Sequence, residues 1–459
     1  MNLQLSSRSR GQPPSLRRTL GLRQAVALGV SGTLGGGIFV LVGSAVGHAG
    51  PAALLAFLVA FGVALCIALP YAELASRFPG AGGAYAATRA ALGPRLGFFN
   101  GWTYLGAWVF ASGFVTLGFG GYLRALTGLP SMPSALGLIA LVTLVNLCNP
   151  RFATRIQVVA IGLGASALLG FALLGAPSAV AHLPDPGSLF PNGPGGLLMA
   201  VPPAFLALNG FDTVAAAGEE VVRPERTLPR AILLTLVIAV CLYALVTFAA
   251  LGALPWQILS ASPVPLADAA AAALGPTGAK LVAVAAVLTT ATTANAALVV
   301  GSRVLFAMGR DGALPRSLGR IHPQTGSPWL ALIVTAACLA AVAVGGSIAL
   351  AAAAGGFLYV LHYLVPIAAL IRVRRGGGPR PIFVTPAPRV VLPLAVGACV
   401  LMLGASGGDG VLGGAGWLVA GLAIYAAPSI SAGLNRLSAS MSTPPSASAR
   451  FGLGARRAD

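Results

Sequence analysis

The sequence predicts an all-α polytopic membrane protein of about 12 transmembrane helices, arranged as a 5+5 inverted repeat in which helices one and six are broken. Three observations predict it. Of 459 residues, 57% are hydrophobic and 8% are charged, with a mean hydropathy of +0.87; soluble domains carry roughly a quarter charged residues. Positive charges gather in every second connection. Two apolar spans are interrupted by glycine in matching places.

Apolar windows of about 20 residues cross a bilayer core. Here they fall near residues 22–47, 51–75, 95–122, 134–149, 154–176, 196–222, 230–253, 279–309, 329–347, 349–371, 389–406 and 411–432, the fourth being short. The first is too long for a signal-peptide core and runs on into further spans, so it reads as a retained helix. Arg8, Arg10, Arg17, Arg18 and Arg23 flank span one. Later arginines follow spans two, four, six, eight, ten and twelve, and only Arg124 and Lys280 fall on the other side, so 26 of 28 positive charges share one side. The positive-inside rule then puts both termini in the cytoplasm of a multi-pass cell-membrane protein. The net charge of +18 reports topology and anionic lipid, and nucleic acid is not a partner. Five cysteines sit in apolar spans without metal or disulfide spacing, and the four histidines are scattered. Neither pattern suggests a metal or cofactor site.

Residues 1–20 and 433–459 read as solvated tails around one membrane domain, 21–432. Five spans separate the start of one broken helix from the start of the next. Five is odd, so the second set enters the bilayer from the opposite side. The repeats are about 21–176 and 196–371, and residues 389–432 add two helices. Residues 79–94 and 308–328 are expected to pack as short interfacial helices. Residues 254–278 are the longest external connection, with Trp256 at the interface.

The breaks read Gly35-Gly36-Gly37 in span one and Phe205-Leu-Ala-Leu-Asn-Gly-Phe-Asp212 in span six. Lipid cannot satisfy unwound backbone, so such breaks line cavities. They suit a zwitterion. A carboxylate finds the free N–H groups of a helix N-terminus and about half a unit of positive charge. An ammonium finds carbonyls at the end of the preceding half-helix. Ile38 opens the second half of helix one in this reading, and carbonyls near Leu206, Ala207 and Asn209 face the same cavity. Close helix packing is the plainer use of such glycines.

Asp212 is an acid at membrane depth, which either caps the second half of helix six or handles a proton or ion. Glu219 and Glu220 either pair with arginines such as Arg303 or sit as surface charge. Thr289, Thr290, Thr292 and Thr293 either bond back to their own helix or, through Thr292 or Thr293, share a sodium site with helix one. Phe205 and Phe211 flank the second break as aromatic gates or as packing.

These residues resemble the amino acid–polyamine–organocation superfamily over about residues 20–435. The carriers are Gly35-Gly-Gly-Ile-Phe39, Phe78-Pro-Gly-Ala-Gly-Gly-Ala-Tyr85, Gly97-Phe-Phe-Asn-Gly-Trp102, Gly210-Phe-Asp212 with Glu219-Glu220, and Ser302-Arg303 with Arg310-Asp-Gly-Ala-Leu-Pro315. The resemblance implies a leucine-transporter-like fold, alternating access, a carboxylate site on Gly35, Gly36 and Gly37, and an amine site on carbonyls of Thr33, Leu206, Ala207 and Asn209. Some proton-coupled members carry a lysine in helix five where Gly164 stands here, so coupling to Na+ or H+ is open. The expected function is secondary transport of amino acids. An amine or polyamine transporter, an amino acid exchanger and a non-transporting nutrient sensor are the alternatives; an enzyme would need converging nucleophile, base or metal ligands.

Overall fold

The structure, a computed structural model, describes residues 18–79, 82–181, 189–376, 381–427 and 430. The expected tails lie outside them, apart from a few residues next to the membrane domain. The described residues form helices joined by turns and connections. Span one is two helices, Leu22–Thr33 and Gly36–Ala49. Spans two to five are Ala53–Arg77, Pro94–Thr127, Ser131–Cys148 and Pro150–Ala181. Span six is Gly193–Leu208, then a break and a single turn, Thr213–Ala216. Spans seven to twelve are Pro224–Ala253, Pro265–Arg310, Trp329–Val344, Ile348–Arg375, Pro388–Gly404 and Gly407–Ala426. Among the described residues, 9 stretches are long and apolar enough to cross a membrane. One of them holds both the end of span one and span two, and spans nine and eleven are shorter apolar helices.

The outer surface is made of side chains that water would not tolerate in such density. Leu174, Leu401 and Leu412 are 68%, 76% and 73% exposed, which fits a lipid boundary. Inside, span three packs along spans eight and ten. The two broken spans are tied at both ends. Thr19 and Leu20 donate backbone N–H groups to the Glu220 carbonyl at 2.8 Å, and Val222 donates to the Leu20 carbonyl at 2.8 Å. At the far end Asn192 donates through Nδ2 to the His48 carbonyl at 2.9 Å.

The connection 254–278 has regular structure of its own. It is helical, as Trp256–Ala261 and the first turns of span eight. Alanine is the strongest helix former, and Leu266, Ala267, Ala269 and Ala270 are buried there. Gly275, at φ 73°, marks the kink before Pro276. Residues 84–92 form the expected short helix, whereas 308–310 end span eight and the rest of 308–328 carries the 3-10 turn Arg316–Gly319. The cysteines are free; Cys399 is buried, and Cys148 and Cys241 are exposed on the outer surface.

Candidate functional site

The two breaks face each other. Asn209 is extended (φ −71°, ψ 154°), and Gly210 follows at φ 122°, a region closed to other residues. A Cβ on Gly210 would collide with the Gly32 carbonyl group. A Cβ on Gly37 would lie 2.8 Å from Ala207 Cα and 2.9 Å from its carbonyl oxygen. The glycines therefore let two backbones meet where both are unwound.

Beside this contact is a cavity of about 20 Å³, room for about one water. Thr33, Gly37, Leu206, Ala207, Asn209 and Thr293 line it, as do Gly32, Trp108, Ala111, Ser112, Phe114, Val115 and Tyr359. Six of the residues picked out by sequence are thus brought together. Gly35, Gly36, Phe205, Phe211, Asp212 and Thr292 stand behind the wall. Gly35 packs on Thr293, and Gly36 on Val115 and Thr290. The second half of helix one opens at Gly36, with Gly35 as its cap, rather than at Ile38.

Several groups of the site are engaged by the protein itself. The Gly36 N–H donates to Thr293 Oγ1 at 3.2 Å. The Thr33 carbonyl accepts the Tyr243 hydroxyl at 2.5 Å, which leaves it one lone pair. Thr289, Thr290 and Thr292 bond back to Ala285, Ala286 and Thr289 carbonyls at 2.8, 2.6 and 2.7 Å. Phe211 stacks on Tyr363 with centroids 5.6 Å apart, and Phe205 meets the same ring edge-on. Asp212 occupies the cap position of the Thr213 turn but makes no cap bond. Both its oxygens are buried without a hydrogen-bond partner, and Tyr104 and Trp108 of span three are its polar neighbours. Gln157 donates to Ser31 Oγ at 2.6 Å and accepts from Asn295, which accepts from Asn146 at 2.6 Å. This neutral ladder binds span one to spans five, eight and four. Gly164 packs directly on the Thr289 methyl group.

The cavity-facing residues of span three, and Tyr359, were not picked out as site residues by sequence. Trp108, Ala111, Ser112 and Val115 have the i, i+3, i+4, i+7 spacing of one helical face. That spacing was visible. Its meaning was not, because a lipid face and a cavity wall are equally apolar.

The two ends of the site differ. At the arginine-rich end Arg303 pairs with Glu220 at 2.7 Å, Arg310 with Glu219 at 3.2 Å and Arg89 with Asp311 at 2.8 Å. Tyr85 donates to Asp311 at 3.1 Å. Burial first, and then the Asp311 carboxylate, push the Tyr85 phenol well above its ordinary range, so it stays a donor. At the other end lies a cavity of about 460 Å³, with Ser44, His48, Met199, Pro202, Phe357 and Met402 in its walls. Leu206 borders both cavities.

The sequence model of the family described as "Amino acid permease" matches residues 20–442. An uncharacterized transporter of Mycobacterium tuberculosis (strain ATCC 25618 / H37Rv) is 32% identical over 426 residues, covering 90% of this chain and 92% of that one. The branched-chain amino acid permease BcaP of Bacillus subtilis (strain 168) is 30% identical, covering 69% and 72%. The methylthioribose transporter of the same organism is 30% identical, covering 72% and 76%.

Proposed function

The chain belongs to the amino acid permease family, and so to the superfamily its motifs resemble, and from that premise we propose that it is a secondary active transporter moving amino acids by alternating access. The family is one of transporters, not enzymes. The observation that supports the reading most is the cavity between two facing helix breaks. The substrate carboxylate docks on the N-terminus formed by Gly35, Gly36 and Gly37, displacing the Thr293 hydroxyl from the Gly36 N–H. The ammonium takes the free lone pair of the Thr33 carbonyl and the carbonyls of Leu206, Ala207 and Asn209. Thr293 is thus the group the carboxylate replaces.

In this reading the arginine-rich end and both termini are cytoplasmic, and the two five-helix sets form an inverted repeat. The cytoplasmic path is shut by the three ion pairs, and the larger outer cavity is the entry vestibule. Leu206 partitions vestibule from site. Because spans one and six are hydrogen-bonded at both ends, they rock as one body. Breaking the ion pairs while Leu206 closes the outer side delivers the substrate inward.

The test is uptake of labelled amino acids by purified protein in liposomes, with and without sodium, a proton gradient or trapped internal amino acid. Saturable uptake that follows one condition is expected and names the coupling. Substrate-induced thermal stabilisation with no uptake under any condition would replace the reading with a nutrient sensor.

A further inference from the structure

Carboxylate and amine binding account for the side of the cavity made by the two breaks. The opposite wall is a face of span three, and it carries an anomaly. Serine and threonine hydroxyls inside a helix ordinarily donate to a carbonyl three or four residues back. Thr103, Thr116 and Thr127 of span three do so, to the Phe99, Gly113 and Leu123 carbonyls at 2.7, 2.9 and 2.7 Å. Ser112 does not. It is 0% exposed, lines the cavity, and its Oγ has no hydrogen-bond partner.

The break supplies a matching group. Asn209 is buried with its Oδ1 accepting the Tyr363 hydroxyl at 3.4 Å, and its Nδ2 has no partner. The unpartnered groups on the cavity lining also include Thr33 Oγ1 and Trp108 Nε1; of the four, Ser112 faces the break with a hydroxyl that can donate or accept, and Asn209 offers an amide nitrogen that can only donate. Buried polar groups left unpaired are costly, so this pair describes what the ligand brings. Among the described residues no Asp, Glu, Lys, Arg or His lines the cavity, and the rings of Trp108, Phe114 and Tyr359 crowd it.

We propose that Ser112 and Asn209 form the side-chain subsite, and that it selects small neutral amino acids bearing a hydroxyl, serine and threonine. This rests on the two breaks holding the carboxylate and amine. The substrate hydroxyl accepts from Asn209 Nδ2 and shares a hydrogen bond with Ser112 Oγ. A cationic side chain meets a donor and no carboxylate. An aliphatic one leaves both groups unpaired, which is how a hydrogen-bonding pocket rejects an isostere.

The discriminating pair is threonine and valine, which differ by a hydroxyl in place of a methyl. Both are measured as labelled uptake into liposomes, in the wild type and in Ser112→Ala. Expected is a threonine-over-valine ratio of about tenfold or more in the wild type, falling to about twofold in the variant. If Ser112→Ala does not transport, the same ratio is read from titration calorimetry on the purified variant. Equal handling of threonine and valine by the wild type, or a ratio unmoved in Ser112→Ala, would overturn the subsite. Absence of uptake and binding for every amino acid would overturn the transport reading as well, whereas good uptake of leucine or arginine without hydroxyl preference sinks the subsite alone.

Discussion

Gly37→Ala tests whether the contact of the two breaks is the heart of the protein. Its Cβ would sit 2.8 Å from Ala207 Cα and 2.9 Å from the Ala207 carbonyl oxygen. Ordinary contact begins at 3.4 Å, so spans one and six must part by about 0.6 Å. Both neighbours are backbone, and no flexible side chain can give way. Overpacking of this kind costs about 1–3 kcal/mol. The larger effect is on transport, because a displacement approaching 1 Å at a binding constellation can cost about 100-fold. The methyl also enters a cavity of only about 20 Å³. The assays are saturable uptake in liposomes and thermal unfolding in detergent, with Gly62→Ala as the control. Gly62 has nothing within 4 Å of a built Cβ, so both properties should stay at wild-type values there. Gly37→Ala should unfold several degrees lower and lose at least tenfold in uptake efficiency. Wild-type KM and stability in Gly37→Ala would refute both the close contact and the placing of substrate beside it.

Three further outcomes are expected. Glu220→Gln removes one partner of a part-exposed ion pair worth about 0.2–1 kcal/mol, so exchange of internal for external substrate should change up to about fivefold. Exchanging both charges, Glu220→Arg with Arg303→Glu, should restore it, and equal rates in all three proteins would remove this pair from the gate. Glu73 is fully buried and accepts from Arg77 at 2.8 Å, from Arg374, and from Thr385 N and Oγ1 at 2.8 Å each. Glu73→Ala should cost about 3 kcal/mol by stranding the two guanidinium groups, and an unchanged melting profile would show that water replaces the carboxylate without loss. Asp212→Asn should raise thermal stability, since it removes a buried charge whose oxygens have no partner, while uptake falls at least tenfold because the charge is kept for function. A variant that transports normally would make Asp212 structural.

Particular residues show what the sequence could carry. Gly35-Gly-Gly37 and Asn209-Gly210 stood out because unwound backbone needs glycine and because lipid forbids such breaks elsewhere. Thr293 was picked out as a neighbour of helix one, and the structure puts its hydroxyl on the Gly36 N–H. Thr292, the alternative to Thr293 for a sodium site, bonds back to the Thr289 carbonyl, as Thr293 also does at 3.2 Å. The Arg303–Glu220 pairing was foreseen, but Arg310–Glu219 and Arg89–Asp311 were not. Those last two join segments far apart in the chain, and no local pattern encodes which charges meet.

The sequence by itself determined the membrane class and the position of both breaks, and it predicted the number of passes and the sidedness of the arginines. Each follows from a local cost: apolar length against bilayer thickness, charge against the membrane, and orphaned backbone against hydrocarbon. Only the tertiary structure decided which face of span three looks inward, that Ser112 leaves its own helix unbonded, that Tyr243 occupies the Thr33 carbonyl, and that Leu206 stands between two cavities. In a bilayer, lipid and core are both apolar, so hydrophobic periodicity no longer separates inside from outside. Helix rotation is then fixed by close packing and by a few buried hydrogen bonds, and these exist only once the spans have met.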